Sequence, residues 1–360
     1  MKKTNTVLIA VILIFLGIFV YWGFKTSNVA KKKQIRDTVR IHTRHKESKR
    51  QQLQAVFKND KVWGTLVYQN GESHKIKSVS AGYANYDKKI KNSSSTKYML
   101  ASLQKSYTAT MIQILIDNGK LSMNTKLNQF YPGVRYSNKI TIRNLLDHTS
   151  GIQMGEPAPK VSLTSDSSAV AWTLSHLKST GKMYWSYTNA NYILLAGIIT
   201  KVTNKPYISV LNQYILKPLK LKNTAELDTN IINSSAKTYI FGNNIILHPV
   251  SYSLTSSELG CGNLYTTPLD YFKFVSALEN GKLIPINALN ELSRNHETAY
   301  SAGFYYFPEG QRADGIDNGY YNFYYDDKSK HTNMILMLNK GVSDTQGRAM
   351  IQQLENILVA

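Results

Sequence analysis

The chain has 360 residues, 42% of them hydrophobic, enough apolar side chain to build a full core and to exclude a disordered polymer. Its 43 basic and 23 acidic residues give a formal net charge of +20; no zinc-finger spacing, RNP-like segment or basic zipper accompanies that charge, so a nucleic-acid partner is set aside. A single cysteine, Cys261, excludes an internal disulfide framework, and with no clustered metal ligands in the sequence neither a metal nor a cofactor is expected.

In chain order, Lys2 and Lys3 precede an uncharged apolar run at residues 7–24, whose 18 residues are just enough to span a bilayer as a helix. The nearest small-residue site, Asn28-Val29-Ala30, lacks a small first residue, so residues 1–24 read as a retained anchor rather than a cleaved leader. Residues 25–52 form a basic stalk, with ten basic residues against Asp37 and Glu47 between positions 25 and 50. By the positive-inside rule that excess would hold the stalk in the cytoplasm. The chemistry further along argues instead for a catalytic domain outside the cell, where the stalk would rest on anionic polymers or lipid head groups.

Residues 53–360 read as one globular hydrolase domain. Residues 62–68 and 75–83 pattern as two strands around Asn70-Gly71. A helix is expected over residues 102–121, with Met111, Ile112, Leu115 and Ile116 on one side and Gly119 at its stop. Further helices are expected at 192–202 and 269–278, strands at 303–307, 320–325 and 332–339, and a closing helix at 344–358. The simplest assembly is an α/β (α+β) fold. One antiparallel sheet, made from the first two and last three strands and flanked by helices, receives a mainly helical insertion at about residues 91–280.

Ser102-Leu103-Gln104-Lys105 sets a hydroxyl and an amine three residues apart, close enough on a helix to exchange a proton. The same Ser-x-x-Lys spacing begins at Ser94, Ser175, Ser179 and Ser234, so spacing alone selects nothing. Only Ser102 follows an apolar approach (Tyr98, Met99, Leu100, Ala101) and opens a long apolar helix. There the helix N-terminus and burial are both expected to depress the pKa of Lys105. Tyr187-Thr188-Asn189 offers a second proton carrier and an amide. Tyr-x-Asn also begins at Tyr68, Tyr83, Tyr136 and Tyr320, but only the segment at 187 leads directly into the apolar helix 193–199.

With these motifs in place the sequence resembles the penicillin-binding protein and serine beta-lactamase superfamily, in particular its class C-like branch, from about Trp63 to the C-terminus. Two further phrases carry the resemblance, Thr141-Ile142-Arg143-Asn144-Leu145-Leu146-Asp147-His148-Thr149-Ser150-Gly151-Ile152 and Gly262-Asn263-Leu264-Tyr265-Thr266-Thr267-Pro268-Leu269-Asp270. The resemblance implies that Ser102 attacks a carbonyl and forms an acyl-enzyme, that Lys105 and Tyr187 share the proton work, and that Asn189 hydrogen-bonds the substrate. Which of Lys105 and Tyr187 takes the first proton stays open at this point. His148 reads as part of a structural phrase rather than a triad member, and Cys261 as a packing residue.

The superfamily's third motif is Lys-Thr-Gly or His-x-Gly. In its frame Gly315, Gly319 and Tyr320 match, the cationic position is Ala313, and the segment reads Ala313-Asp314-Gly315. The backbone donor near Ile316 that completes the oxyanion hole needs no particular side chain. Loss of the cation weakens recognition of a substrate carboxylate, and the pattern is similar to the branch of teichoic-acid D-alanine esterases, whose substrate ester carries an ammonium instead. Asp314 or Asp317 is then expected to favour that ammonium. The expected function is an extracytoplasmic, membrane-anchored D-alanyl esterase acting on teichoic acid. The alternatives are a D-alanyl-D-alanine carboxypeptidase or low-affinity penicillin-binding protein acting on peptidoglycan, and a non-catalytic wall-polymer-binding module.

Overall fold

The computed structural model describes residues 48–71, 75–240, 244–294, 300–341 and 343–360. The apolar run at 7–24 and the stalk as far as residue 47 lie outside the described residues. Among the described ones no helix is long and apolar enough to cross a membrane. Helix α1 (Lys49–Asn59) starts four positions before the expected domain start at residue 53, and buries Leu53, Val56 and Phe57. The i, i+3, i+4 spacing of those three residues gives it one apolar face.

Strand β1 (Trp63–Asn70) pairs antiparallel with β2 (Lys77–Ala81), as the hairpin pattern predicts. A 3₁₀ turn, Ala101–Gln104, then leads into α2 (Lys105–Asp117). The expected helix from residue 102 is thus corrected: Ser102 lies in the tighter turn, and the α-helix begins at Lys105. The helical insertion also holds α3 (Asn189–Thr203) and α4 (Pro268–Glu279), the latter capped by Thr267 with proline in its first turn.

The chain returns to the sheet as β3 (Tyr300–Ser301), β4 (Phe304–Phe307), β5 (Gly310–Asp317), β6 (Tyr320–Asp327) and β7 (Thr332–Lys340), and closes with α5 (Asp344–Val359). The strands lie in the order β2-β1-β7-β6-β5-β4-β3, all antiparallel neighbours, with two short strands, Thr238–Tyr239 and Leu247–His248, extending the sheet beside β7. β7 shows why the sheet is central. Met334, Leu336 and Leu338 pack with Leu53, Phe57, Leu354 and Leu358 on the α1/α5 side, while Ile335 and Met337 join the core of the helical side. A period of two gives each layer alternate residues of one strand, and each such buried side chain contributes about 1.5–3 kcal/mol.

β5 is the strand that the hydrophobic pattern does not reveal. Gly-Gln-Arg-Ala-Asp-Gly-Ile-Asp contains two glycines and two aspartates, a composition that favours turns. All eight of its residues nevertheless pair with β6, from Gly310↔Asp327 to Asp317↔Tyr320.

A buried acid pair lies at the other end of these strands from the nucleophile turn. Burial and the neighbouring Glu279 charge push the carboxyl of Asp326 up to about 8, with Lys328 opposing. Glu279, itself raised by burial, accepts hydrogen bonds from Gln311 Nε2 (2.7 Å), Tyr324 Oη (2.8 Å) and Asn333 Nδ2 (3.2 Å). A carboxyl whose folded pKa lies above its unfolded value contributes stability that is full below pH ~4 and lost as pH rises through the folded pKa. The melting temperature is therefore expected to fall by about 5 °C or more between pH 5 and pH 9, and Asp326→Asn to make that slope shallower, as read by thermal denaturation across the range.

Candidate active site

The approach to Ser102 is held from three sides. Tyr98–Met99 pairs with Leu264–Thr266, and Leu100 N–H donates to Leu264 O at 2.7 Å. Asn322 Nδ2 on β6 donates to Met99 O and Leu100 O at 2.9 and 3.2 Å. Gln104 donates from Nε2 to Asn263 Oδ1 and accepts from Leu264 N–H, at 2.8 and 2.9 Å. Ala101 takes φ +49°, a left-handed conformation that costs a residue with a Cβ about 1–2 kcal/mol and is retained only where the surroundings enforce it. The phrase at 262–270 is therefore a brace for the nucleophile turn.

The phrase at 141–152 braces the tyrosine in the same way. Thr141 and Asn144 form a capping box that starts the turn Ile142–Leu146. His148 follows with φ +55° and no exposed surface. Its carbonyl accepts Ser186 N–H at 2.8 Å, and its Nδ1 accepts from Asn191 Nδ2 at 3.0 Å and from Thr188 N–H at 3.3 Å. Its ring lies 4.4 Å from the Tyr187 ring. Burial and the nearby Lys105 charge hold the imidazole well below its usual pKa, so it is a neutral platform under Tyr187.

These braces bring the sequence-predicted groups together. Lys105 Nζ donates to Ser102 Oγ at 2.9 Å, to Asn189 Oδ1 at 2.8 Å and to Cys261 O at 3.4 Å. Tyr187 Oη donates to the same Ser102 Oγ at 2.8 Å. Lys105 has no exposed surface, while Tyr187 reaches it from the solvent side. The expected depression of Lys105 is corrected. Burial alone would lower its pKa, but its neighbours, Tyr187 foremost, outweigh burial and raise it, so the group rests as an ammonium. Cys261 is buried, and burial pushes its thiol well up, which leaves it a neutral packing group.

Beneath Lys105 lie Asp317, already named from the sequence, and two acids that the motif search did not find, Glu156 and Glu258. Glu156 Oε1 accepts from Asn189 Nδ2 at 2.6 Å, which fixes the amide so that its oxygen faces Lys105. Glu258 is raised well above an ordinary carboxyl, first by burial and then by Asp317. Asp317 is raised by burial and accepts from Asn318 Nδ2 at 2.6 Å. No motif spacing links Glu156 or Glu258 to Ser102; only the folded chain brings them there.

The third-motif residues divide by face along β5. Ala313 is 1% exposed and faces the core, while Asp314 and Ile316 line the cavity of about 290 Å³ that holds Ser102, Tyr187, Tyr300 and Tyr305. Ala313 therefore puts nothing on that wall. Asp314 does not offer the lone negative charge expected for an ammonium, because Arg312 and Arg348 both reach its Oδ2, at 2.7 and 3.3 Å. Gly315 packs on the nucleophile turn: a Cβ there would stand 2.8 Å from Leu100 O and 3.1 Å from Leu103 N. Gly315→Ala is expected to lever the strand away from Ser102. A misplacement of about 1 Å costs about 10²-fold in turnover, measurable as slower phosphonate labelling with the melting curve recorded alongside. A larger cavity of about 1360 Å³ lies between Phe130, Leu174 and Lys201. It contains neither Ser102 nor Tyr187.

A serine whose oxygen accepts from a buried ammonium and from a tyrosine, in an open cavity beside a sheet edge, defines a serine hydrolase. The chain matches the family model described as Beta-lactamase over residues 49–344 and belongs to that family. Teichoic acid D-alanine hydrolase of Staphylococcus aureus is 28% identical over 274 residues, which are 73% of this chain and 67% of that protein. The fold is shared with D-amino acid amidase of Ochrobactrum anthropi SV3, solved with L-phenylalanine amide, at a TM-score of 0.77 and 19% identity over 86% of this chain and 99% of that one. It is shared also with FmtA of Staphylococcus aureus, at a TM-score of 0.76 and 24% identity over 87% and 89% of the two chains.

Proposed function

We propose that this serine hydrolase removes D-alanine from its ester on teichoic acid, outside the cell, through an acyl-enzyme on Ser102. The observation that carries the chemistry is the pair of hydrogen bonds that Lys105 and Tyr187 make to one serine oxygen. The reactive form of the Lys105–Tyr187 pair carries one proton fewer than the resting ammonium and phenol; as Ser102 Oγ attacks the ester carbonyl, its proton fills that vacancy, and the pair then gives a proton to the departing polyol oxygen. The oxyanion is met by the amides of Ser102 and Ile316. Water then attacks the alanyl-serine ester and passes its proton to the pair, which returns a proton to Ser102 Oγ as the acyl–oxygen bond breaks and D-alanine leaves.

Two things support the substrate class: the named activity of the relative at 28% identity, and the core-facing Ala313 where carboxylate-binding members carry a cation. A D,D-peptidase remains the competing reading, favoured by one feature, the two arginines at Asp314, which suit a carboxylate. The soluble domain incubated with D-alanylated teichoic acid and, separately, with a muropeptide ending in D-Ala-D-Ala should release D-alanine from the first alone. Release from the muropeptide alone would assign the peptidase. Placement outside the cell and anchoring by residues 1–24 are part of the proposal; protease sensitivity of the domain on intact cells tests the first.

A further inference from the structure

The cavity wall next to Ser102 carries a cation that the third-motif strand does not supply in the usual position. Along β5 the side chains at 312, 314 and 316 share one face. On it Arg312 and Asp314 pair at 2.7 Å, and Arg348 of α5 reaches the same carboxylate oxygen at 3.3 Å. Two guanidiniums thus meet on one carboxylate oxygen at the cavity. Arg348 and Asp314 both line it, and the Arg348 side chain is 49% exposed against 15% for Asp314. Arg312 is fixed further by stacking, with its guanidinium carbon 4.5 Å from the centroid of Tyr305, another cavity residue. An ion pair at a protein surface adds little stability, so stability does not account for collecting two arginines here. A planar guanidinium held in place by a carboxylate and an aromatic ring is suited to binding an oxyanion.

We propose that Arg312 and Arg348 form an anion subsite for the phosphate that neighbours the scissile ester in a polyol-phosphate chain; this rests on the teichoic-acid reading above. The ester itself carries no carboxylate, and the repeating phosphate is the anion such a substrate brings within a few bonds of the reacting carbon. The site would thus read the leaving alcohol of the substrate, with the D-alanyl half placed at Ser102.

Competition against a phosphonate probe that labels Ser102 tests the subsite without requiring D-alanine release. Glycerol 1-phosphate should slow labelling of the wild type, and its inhibition constant should rise about tenfold or more in Arg348→Gln and in Arg312→Gln, with Arg348→Lys intermediate because it keeps the charge and loses the fork. N-acetyl-D-alanine, which offers a carboxylate, should protect less than glycerol 1-phosphate. In turnover, Arg348→Gln should raise KM for D-alanyl glycerol phosphate by a factor several times larger than its effect on KM for the phosphate-free D-alanyl glycerol ester. Unchanged protection in all three variants, stronger protection by the carboxylate, or equal losses on the two esters would overturn the subsite. Protection as expected without D-alanine release from either ester would keep the subsite and reject the esterase.

Discussion

Ser102→Ala is expected to abolish phosphonate labelling and to lower ester hydrolysis by about 10⁴-fold or more, the scale seen when a nucleophile that acts as one unit with its base is removed. The four other Ser-x-x-Lys serines should tolerate the same change, because their lysines are placed differently. Lys178 and Lys182 are exposed, Lys97 and Lys237 are half-buried, and only Lys105 is fully enclosed. Ser175 donates to Trp172 O at 2.8 Å, as a helix-surface serine does, and Ser234 donates to Ile231 O at 3.1 Å. Ser175→Ala is therefore the control: labelling should match the wild type, and labelling retained in Ser102→Ala would remove the nucleophile from the account.

Lys105→Met should cost about 10²–10⁴-fold in acylation, the range for a positioned acid-base group. The side chain keeps its length and apolar stem, so the loss isolates the ammonium. That ammonium donates to Ser102 Oγ and Asn189 Oδ1. Without it the serine oxygen keeps only the Tyr187 contact of 2.8 Å. The measurement is the second-order rate of labelling, with a melting curve to show that the fold is kept. Near-wild-type labelling would move the proton transfer to Tyr187 alone, and Tyr187→Phe would then carry the larger loss.

Much of this architecture is written in local patterns. The long apolar alternations at β1, β6 and β7 and the periodic helices α3, α4 and α5 lie within a few residues of their expected bounds, because burial and periodicity coincide there. β5 shows the converse. Its Gly-rich, Asp-rich sequence becomes a strand because the tyrosine-rich β6 pairs along its whole length, a tertiary effect that propensity does not carry. At the site, Ser102, Lys105, Tyr187 and Asn189 could be named from motif context. Glu156 and Glu258 beneath Lys105 could not, since they come from separate loops, and with them went the direction of the Lys105 shift: the sequence shows that a lysine is buried but not which groups are buried beside it. Arg348 was likewise hidden, as one cation on a closing helix far along the chain from the third motif.

The most direct test of the central claim is intact-mass analysis of the wild-type domain quenched during turnover of a D-alanyl glycerol phosphate ester, followed by peptide mapping. The account predicts a transient gain of one alanyl group located on Ser102, which disappears as free D-alanine accumulates. D-alanine release with no adduct at any time, in a Ser102→Ala protein that releases it equally fast, would contradict it.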